Sequence, residues 1–168
     1  MKELIGIVFF ALIMACTEST PKGHEFYDQG MAKYKLQDYE GAIAAFTKAV
    51  ELNPKDEKSF YDRGVAKYKL QDYTGSIPDF TLAIEINPKF AKAYYNRGFA
   101  KSELQDFMGA IPDFDNAIEI NPKYEKAFYF RGIAKIELGQ KVDGCMDLSK
   151  AGEQGYAEAY EAIKKYCQ

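Results

Sequence analysis

Glycine returns every 34 residues, at Gly30, Gly64, Gly98 and Gly132. The same step separates Pro54, Pro88 and Pro122, the aromatics Phe26, Phe60, Tyr94 and Phe128, and the large apolar residues Phe46, Phe80, Phe114 and Leu148. The run YKLQDY occurs twice, over residues 34–39 and 68–73. A period of this length implies stacked supersecondary units. Each is too small to bury its own apolar face, so neighbours must build a continuous core.

Within the second copy, apolar spacing predicts a helix A from about Lys58 to Leu70 and a helix B from about Gly75 to Ile86. Helix B should bury Ser76, Ile77, Phe80, Ala83 and Ile84 on one face. Gly64 costs up to ~1 kcal/mol of helix propensity, so its recurrence points to close approach of helices A and B. Pro88 ends helix B and sets the corner into the next unit. Pro78 and Pro112 are expected near the start of helix B, where a missing N–H costs little. Gly41, Gly75 and Gly109 also fall at helix B starts. None of the repeating glycines needs a phosphate, and no GxxxxGK or GxGxxG pattern is present.

This period, with its aromatic, Gly, mid-repeat aromatic, small residue and closing Pro, resembles the tetratricopeptide repeat (TPR). Four copies cover about 23–56, 57–90, 91–124 and 125–158 of a 23–168 repeat domain. The resemblance implies an all-α fold, a right-handed superhelical solenoid of helix-turn-helix units. The last copy departs from the pattern: Gly144 replaces Ala or Ser, Gly152 replaces Val or Ile, and Tyr156 replaces Pro. The amphipathic stretch that follows, about 157–167, is expected to form a capping helix over the open end.

The amino end carries an address. The apolar run from Leu4 to Cys16 is 13 residues, too short for a span of about 20. With its short charged start it has the form of a secretory signal. Ile13-Met14-Ala15-Cys16 resembles the lipobox of bacterial lipoproteins. The resemblance implies a signal peptide over 1–15, acylation (palmitate) at Cys16, and a place in the bacterial cell envelope. Thr17 after the Cys favours the outer membrane by the same resemblance. A plain cleaved signal is the alternative. Residues 16–23 then form a lipidated Cys and a polar tether.

Composition removes several functions. Lys plus Arg total 22 against 25 Asp plus Glu, a net charge of -3 without a clustered basic face for nucleic acid. Hydrophobic residues at 47% are too many for a disordered chain. A single His and three scattered Cys do not make a zinc site, which needs four converging ligands. His24 has no neighbouring nucleophile, and the carboxylates are dispersed, so no catalytic constellation emerges. No enzyme activity, cofactor, metal or small-molecule substrate is implied.

Two further patterns can be tested structurally. Arg63, Arg97 and Arg131 precede the repeating Gly, and Asp79, Asp113 and Asp147 share one helix B position. In copy one both are missing, at Gln29 and Ala45. Either each Arg pairs with the Asp of its own repeat, or both are independent exposed charges. Cys145 and Cys167 should sit at similar heights if the last helix B and the cap are antiparallel neighbours. An exported protein would then join them in a disulfide; two buried thiols are the alternative.

In the TPR fold the A helices line a concave groove. The resemblance places Tyr27, Tyr61, Tyr95 and Tyr129 there, followed by the rows Met31/Val65/Phe99/Ile133 and Tyr34/Tyr68/Ser102/Ile136. Lys58, Lys92 and Lys126 stand at the groove edge. The expectation is a partner-binding surface for a protein or peptide ligand, on a lipid-anchored adaptor or scaffold. Packing between A helices is the competing use of the same rows. The Lys and Asn of the chaperone-tail clamp are replaced here by Tyr and apolar residues. An assembly factor or chaperone for outer-membrane or secreted proteins is the alternative function.

Overall fold

A computed structural model describes residues 21–168. The expected signal peptide, Cys16 and most of the expected tether lie outside the described residues. Nine helices follow one another and no strand occurs among the described residues: α1 (Pro21–Lys35), α2 (Tyr39–Leu52), α3 (Glu57–Lys69), α4 (Tyr73–Ile86), α5 (Ala91–Glu103), α6 (Phe107–Ile120), α7 (Glu125–Glu137), α8 (Lys141–Glu153) and α9 (Glu158–Tyr166). Each odd helix packs on the even helix after it, and each even helix packs on the next odd one. The result is four helical hairpins stacked in chain order, closed by α9 against α8.

Local chemistry sets the helix ends. Asp38, Asp72 and Asp106 cap α2, α4 and α6, each accepting the N–H of Gly41, Gly75 or Gly109 at 2.9 Å. A Cβ on Gly75 would stand 2.0 Å from the Asp72 carboxylate, so cap and glycine act together. This cap starts α4 at Tyr73, two residues before the expected Gly75. The A helices end at a left-handed residue: Gln37, Gln71 and Gln105 have φ of 61°, 63° and 62°, and Gly139 in the fourth copy has φ of 79°. Asp72 N–H then returns to the Lys67 carbonyl at 3.0 Å and Gln71 N–H to the Tyr68 carbonyl at 2.9 Å, which satisfies the last turn of α3.

Three expectations are corrected. Pro21–Gly23 belong to α1 rather than to the tether, because a Pro in a first helical turn forgoes no hydrogen bond. Pro78 is not in the first turn: it is the sixth residue of α4, and Pro112 is the sixth of α6. A Pro there loosens the carbonyls three and four residues before it. Lys67 Nζ reaches the Gly75 carbonyl at 3.2 Å, and Lys101 Nζ reaches that of Gly109 at 3.1 Å, so one of the two is satisfied in each proline-bearing repeat. The buried face of α4 also holds Asp79 in place of Ile77, which is half-buried.

The core runs as a column. Phe46, Phe80, Phe114 and Leu148 are fully buried. Each lies under the glycine of its hairpin: a Cβ on Gly64 would meet Phe80 at 2.8 Å, and one on Gly98 would meet Phe114 at 3.0 Å. The fourth hairpin is tighter still. There Gly132 and Gly144 face one another, and a Cβ on either would stand within 2.8 Å of the other's carbonyl oxygen.

Candidate functional site

Each Arg pairs with the Asp of its own repeat. Arg63–Asp79 and Arg97–Asp113 both close at 2.6 Å, and Arg131–Asp147 at 2.5 Å. These Asp residues are only 2%, 2% and 6% exposed. Each carries a second cation, Lys67, Lys101 or Lys135, within 2.8 Å. A buried carboxylate with two cations and bidentate hydrogen bonds is fully satisfied. The guanidinium also reaches back to the preceding repeat: Arg63 to Thr47 at 3.3 Å, Arg97 to Thr81 at 3.1 Å, and Arg131 to Asp115 at 2.5 Å. One Arg therefore joins three helices across each repeat junction. The first repeat lacks both members of the pair, at Gln29 and Ala45. Lys33, without an Asp at position 45, turns to Asp38 instead.

Cys145 and Cys167 are joined, with Cα atoms 5.8 Å apart. The bridge ties the residue just after α9 to α8. The cap needs this tie, because α9 buries only Ala159 and Ala162. Tyr160 adds a hydroxyl donation to the Gly152 carbonyl at 3.1 Å.

The tyrosine row faces the series of A helices and is half-buried. Its rings rest on the core column, Tyr27 on Phe46, Tyr61 on Phe80 and Tyr95 on Phe114, at 5.7–6.1 Å. The hydroxyls reach the next A helix. Tyr27 donates to Asp62 at 2.8 Å, and Tyr61 accepts from Asn96 Nδ2 at 2.9 Å. At the third step the partner is an aromatic ring, Phe130, 6.1 Å from Tyr95. Burial pushes the Tyr61 phenol up to about 12, and that of Tyr95 further. Both are neutral donors or acceptors at physiological pH. The Asp62 carboxyl is also raised, by burial, although its bond from Tyr27 opposes the shift.

The middle row is part of an aromatic cluster. Phe99 lies 4.4 Å from Phe130, 5.4 Å from Tyr68 and 6.0 Å from Tyr95. These rings pack between successive A helices, yet each keeps part of its surface exposed. The rows thus serve both packing and surface. Lys58, Lys92 and Lys126 are exposed. Lys58 shares a cleft of about 360 Å³ with Tyr27, His24 and Lys55. Tyr129 lines another, of about 500 Å³, with Ile133, Glu158, Lys165 and Tyr166. The cap therefore supplies a wall to this face. Sequence reasoning missed that wall, because a capping helix was expected only to shield the core.

No cluster of three or more metal-ligating side chains occurs among the described residues, and none of their helices is long and apolar enough to cross a membrane.

Comparison with known proteins matches this geometry. A profile described as TPR repeat matches residues 30–71, and two described as tetratricopeptide repeat match 57–90 and 91–124. No curated protein matches the chain by sequence at a significant level. Among solved structures, MamA from Desulfovibrio magneticus RS-1 superposes with a TM-score of 0.79 at 17% identity, covering 89% of this chain and 96% of its own. YrrB, described as a TPR protein with an unusual peptide-binding site, gives 0.77 at 22% identity, covering 84% and 74%. The first TPR domain of Spaghetti (RPAP3), bound to the HSP90 peptide SRMEEVD, gives 0.70 at 25% identity, covering 74% and 98%.

Proposed function

Because this chain is a tetratricopeptide-repeat protein, we propose that it is an interaction scaffold whose A-helix face holds a peptide or helix of a partner protein. The observation that carries this is the partly exposed aromatic surface of Tyr95, Phe99 and Phe130, continuous across repeats, with the exposed Lys92 and Lys126 one helical turn before Tyr95 and Phe130. Rigid aromatic area with polar tips suits recognition. The HSP90-peptide complex of one protein with this fold, and the peptide-binding site described in another, support the reading. The function involves no chemistry on the ligand.

The scaffold is anchored in the bacterial cell envelope, at the outer membrane, through a lipid on Cys16. The support is the sequence Ile13-Met14-Ala15-Cys16. Cys16→Ser should abolish incorporation of labelled palmitate and release the protein from membranes.

In-cell photo-crosslinking tests the binding face, with the probe at Tyr95 and a control at Glu119, exposed on α6. One dominant partner captured only from Tyr95 supports the scaffold. Many unrelated partners would favour a chaperone or assembly factor. No capture above the control would remove the A-helix face as the binding surface.

A further inference from the structure

Three lysine rows recur along the chain, and acids hold only one of them. Lys67, Lys101 and Lys135 are bound to buried carboxylates. Lys58, Lys92 and Lys126, and Lys55, Lys89 and Lys123 in the turns before them, are exposed and form no ion pair among the described residues.

The floor beside the Lys58, Lys92 and Lys126 row loses its charge along the solenoid. Asp62 lies between Lys58 and Lys92 and attracts both. One repeat on, its position is Asn96, and the next is Phe130. The rim of repeats three and four thus presents Lys89, Lys92, Lys123 and Lys126, against Glu125 at the start of α7 and, beside Phe130 at the cap end, Glu158 and Glu161 with Lys165. That cationic rim borders the widest aromatic floor, Tyr95, Phe99 and Phe130.

Resting on the scaffold reading above, we propose that this half of the A-helix face takes an extended acidic segment of a partner. Its side-chain carboxylates recur at every third position toward Lys92 and Lys126. Its apolar side chains lie on Tyr95, Phe99 and Phe130. The spacing follows from geometry. Neighbouring helices stand roughly 10 Å apart. A polyproline-II segment advances about 3.1 Å per residue and repeats its direction every three residues, so one turn spans one repeat. Charge complementarity of this kind sets specificity and on-rate and weakens with salt.

The test uses labelled, acetylated and amidated peptides of four Glu-Pro-Leu repeats or four Lys-Pro-Leu repeats, read by fluorescence anisotropy with the protein from residue 16 onward. The acidic peptide should bind at least about tenfold more tightly than the basic one and weaken as salt rises. Lys92→Gln with Lys126→Gln should cost about tenfold. Both side chains are exposed, and circular dichroism confirms that the fold is kept. Equal binding of the basic peptide, or no effect of the double variant, overturns the proposal. So does much tighter binding of a free-carboxylate version, which would mean recognition of a chain end. Displacement of the acidic peptide by oligothymidylate at similar concentration would mean general anion binding, and also overturns it. If the acidic preference fails while Tyr95→Ala still lowers peptide binding, the scaffold reading stands and only this inference falls. If the peptides do not bind, the inference falls and Tyr95 crosslinking decides the scaffold reading. If binding ignores Tyr95→Ala, both fall.

Discussion

The Tyr27 phenol donates to the Asp62 carboxylate at 2.8 Å, across the junction between the first two A helices. One repeat on, Tyr61 and Asn96 meet at 2.9 Å with the donor on the other side. The same seam is thus closed by a charged acceptor, then by a neutral donor, then by Phe130 against Tyr95. Burial has raised the Asp62 carboxyl, so its ionised form is disfavoured in the folded state. The sign follows: the folded protein holds this proton more tightly than the unfolded chain, and stability is lost as pH rises from the ordinary Asp value to the raised one. Asp62→Asn should keep the Tyr27 contact and flatten stability in that window. Urea midpoints of the two proteins between pH 3 and pH 7 are the check.

Breaking one buried cluster should be costly. Arg97→Ala leaves Asp113 with Lys101 alone in a 2%-exposed site. A loss of about 3–5 kcal/mol is expected. Asp113→Ala leaves Arg97 and Lys101 close together without their shared acid. The double variant should cost much less than the sum of the two, and a denaturation cycle measures that coupling.

Two glycines of similar appearance should respond oppositely to Ala. At Gly64 the new Cβ would meet Phe80 at 2.8 Å, so α3 and α4 must separate. A cost of about 1–3 kcal/mol is expected. At Gly152 the nearest atom is Tyr160 at 3.5 Å, an ordinary contact. Gly152→Ala should gain up to about 1 kcal/mol of helix propensity. Thermal melts distinguish the two outcomes.

Gln105 holds φ of 62° at the end of α5, a conformation that costs an L-residue about 1–2 kcal/mol. Gln105→Gly should recover about 1 kcal/mol, offset in part by greater freedom of the unfolded chain. The fourth copy already carries Gly139 in register. A rise in melting temperature is the expected readout.

Removing the Cys145–Cys167 bridge should cost about 3 kcal/mol through the unfolded chain. The loss should concentrate in α9. Cys145→Ser with Cys167→Ser should speed amide exchange over residues 158–166 far more than over α3 or α4. Uniform exchange changes would show that the cap is held by packing instead.

Much of this architecture could be read from the chain because one unit is written four times. The Arg–Asp pairing was visible as joint presence in three copies and joint absence in the first. Its third partner was not, although Thr47, Thr81 and Asp115 keep the same step: contact across a junction requires the stacking geometry. Gln71 carried no turn signature, since only the backbone reveals its left-handed state. Pro21 and Gly23 were misplaced because both residues punctuate loops as well as helix starts. The dual duty of the tyrosines needed ring contacts that no helical wheel supplies.

The clusters at Arg63, Arg97 and Arg131 give the molecule a direction of failure. Three junctions are riveted, the far end is covalently closed, and the first hairpin shares only the outer contact of one rivet, at Thr47. A load entering through the amino end would meet the least fastened hairpin first. It would yield there, as a fuse does, while the last two repeats kept their shape.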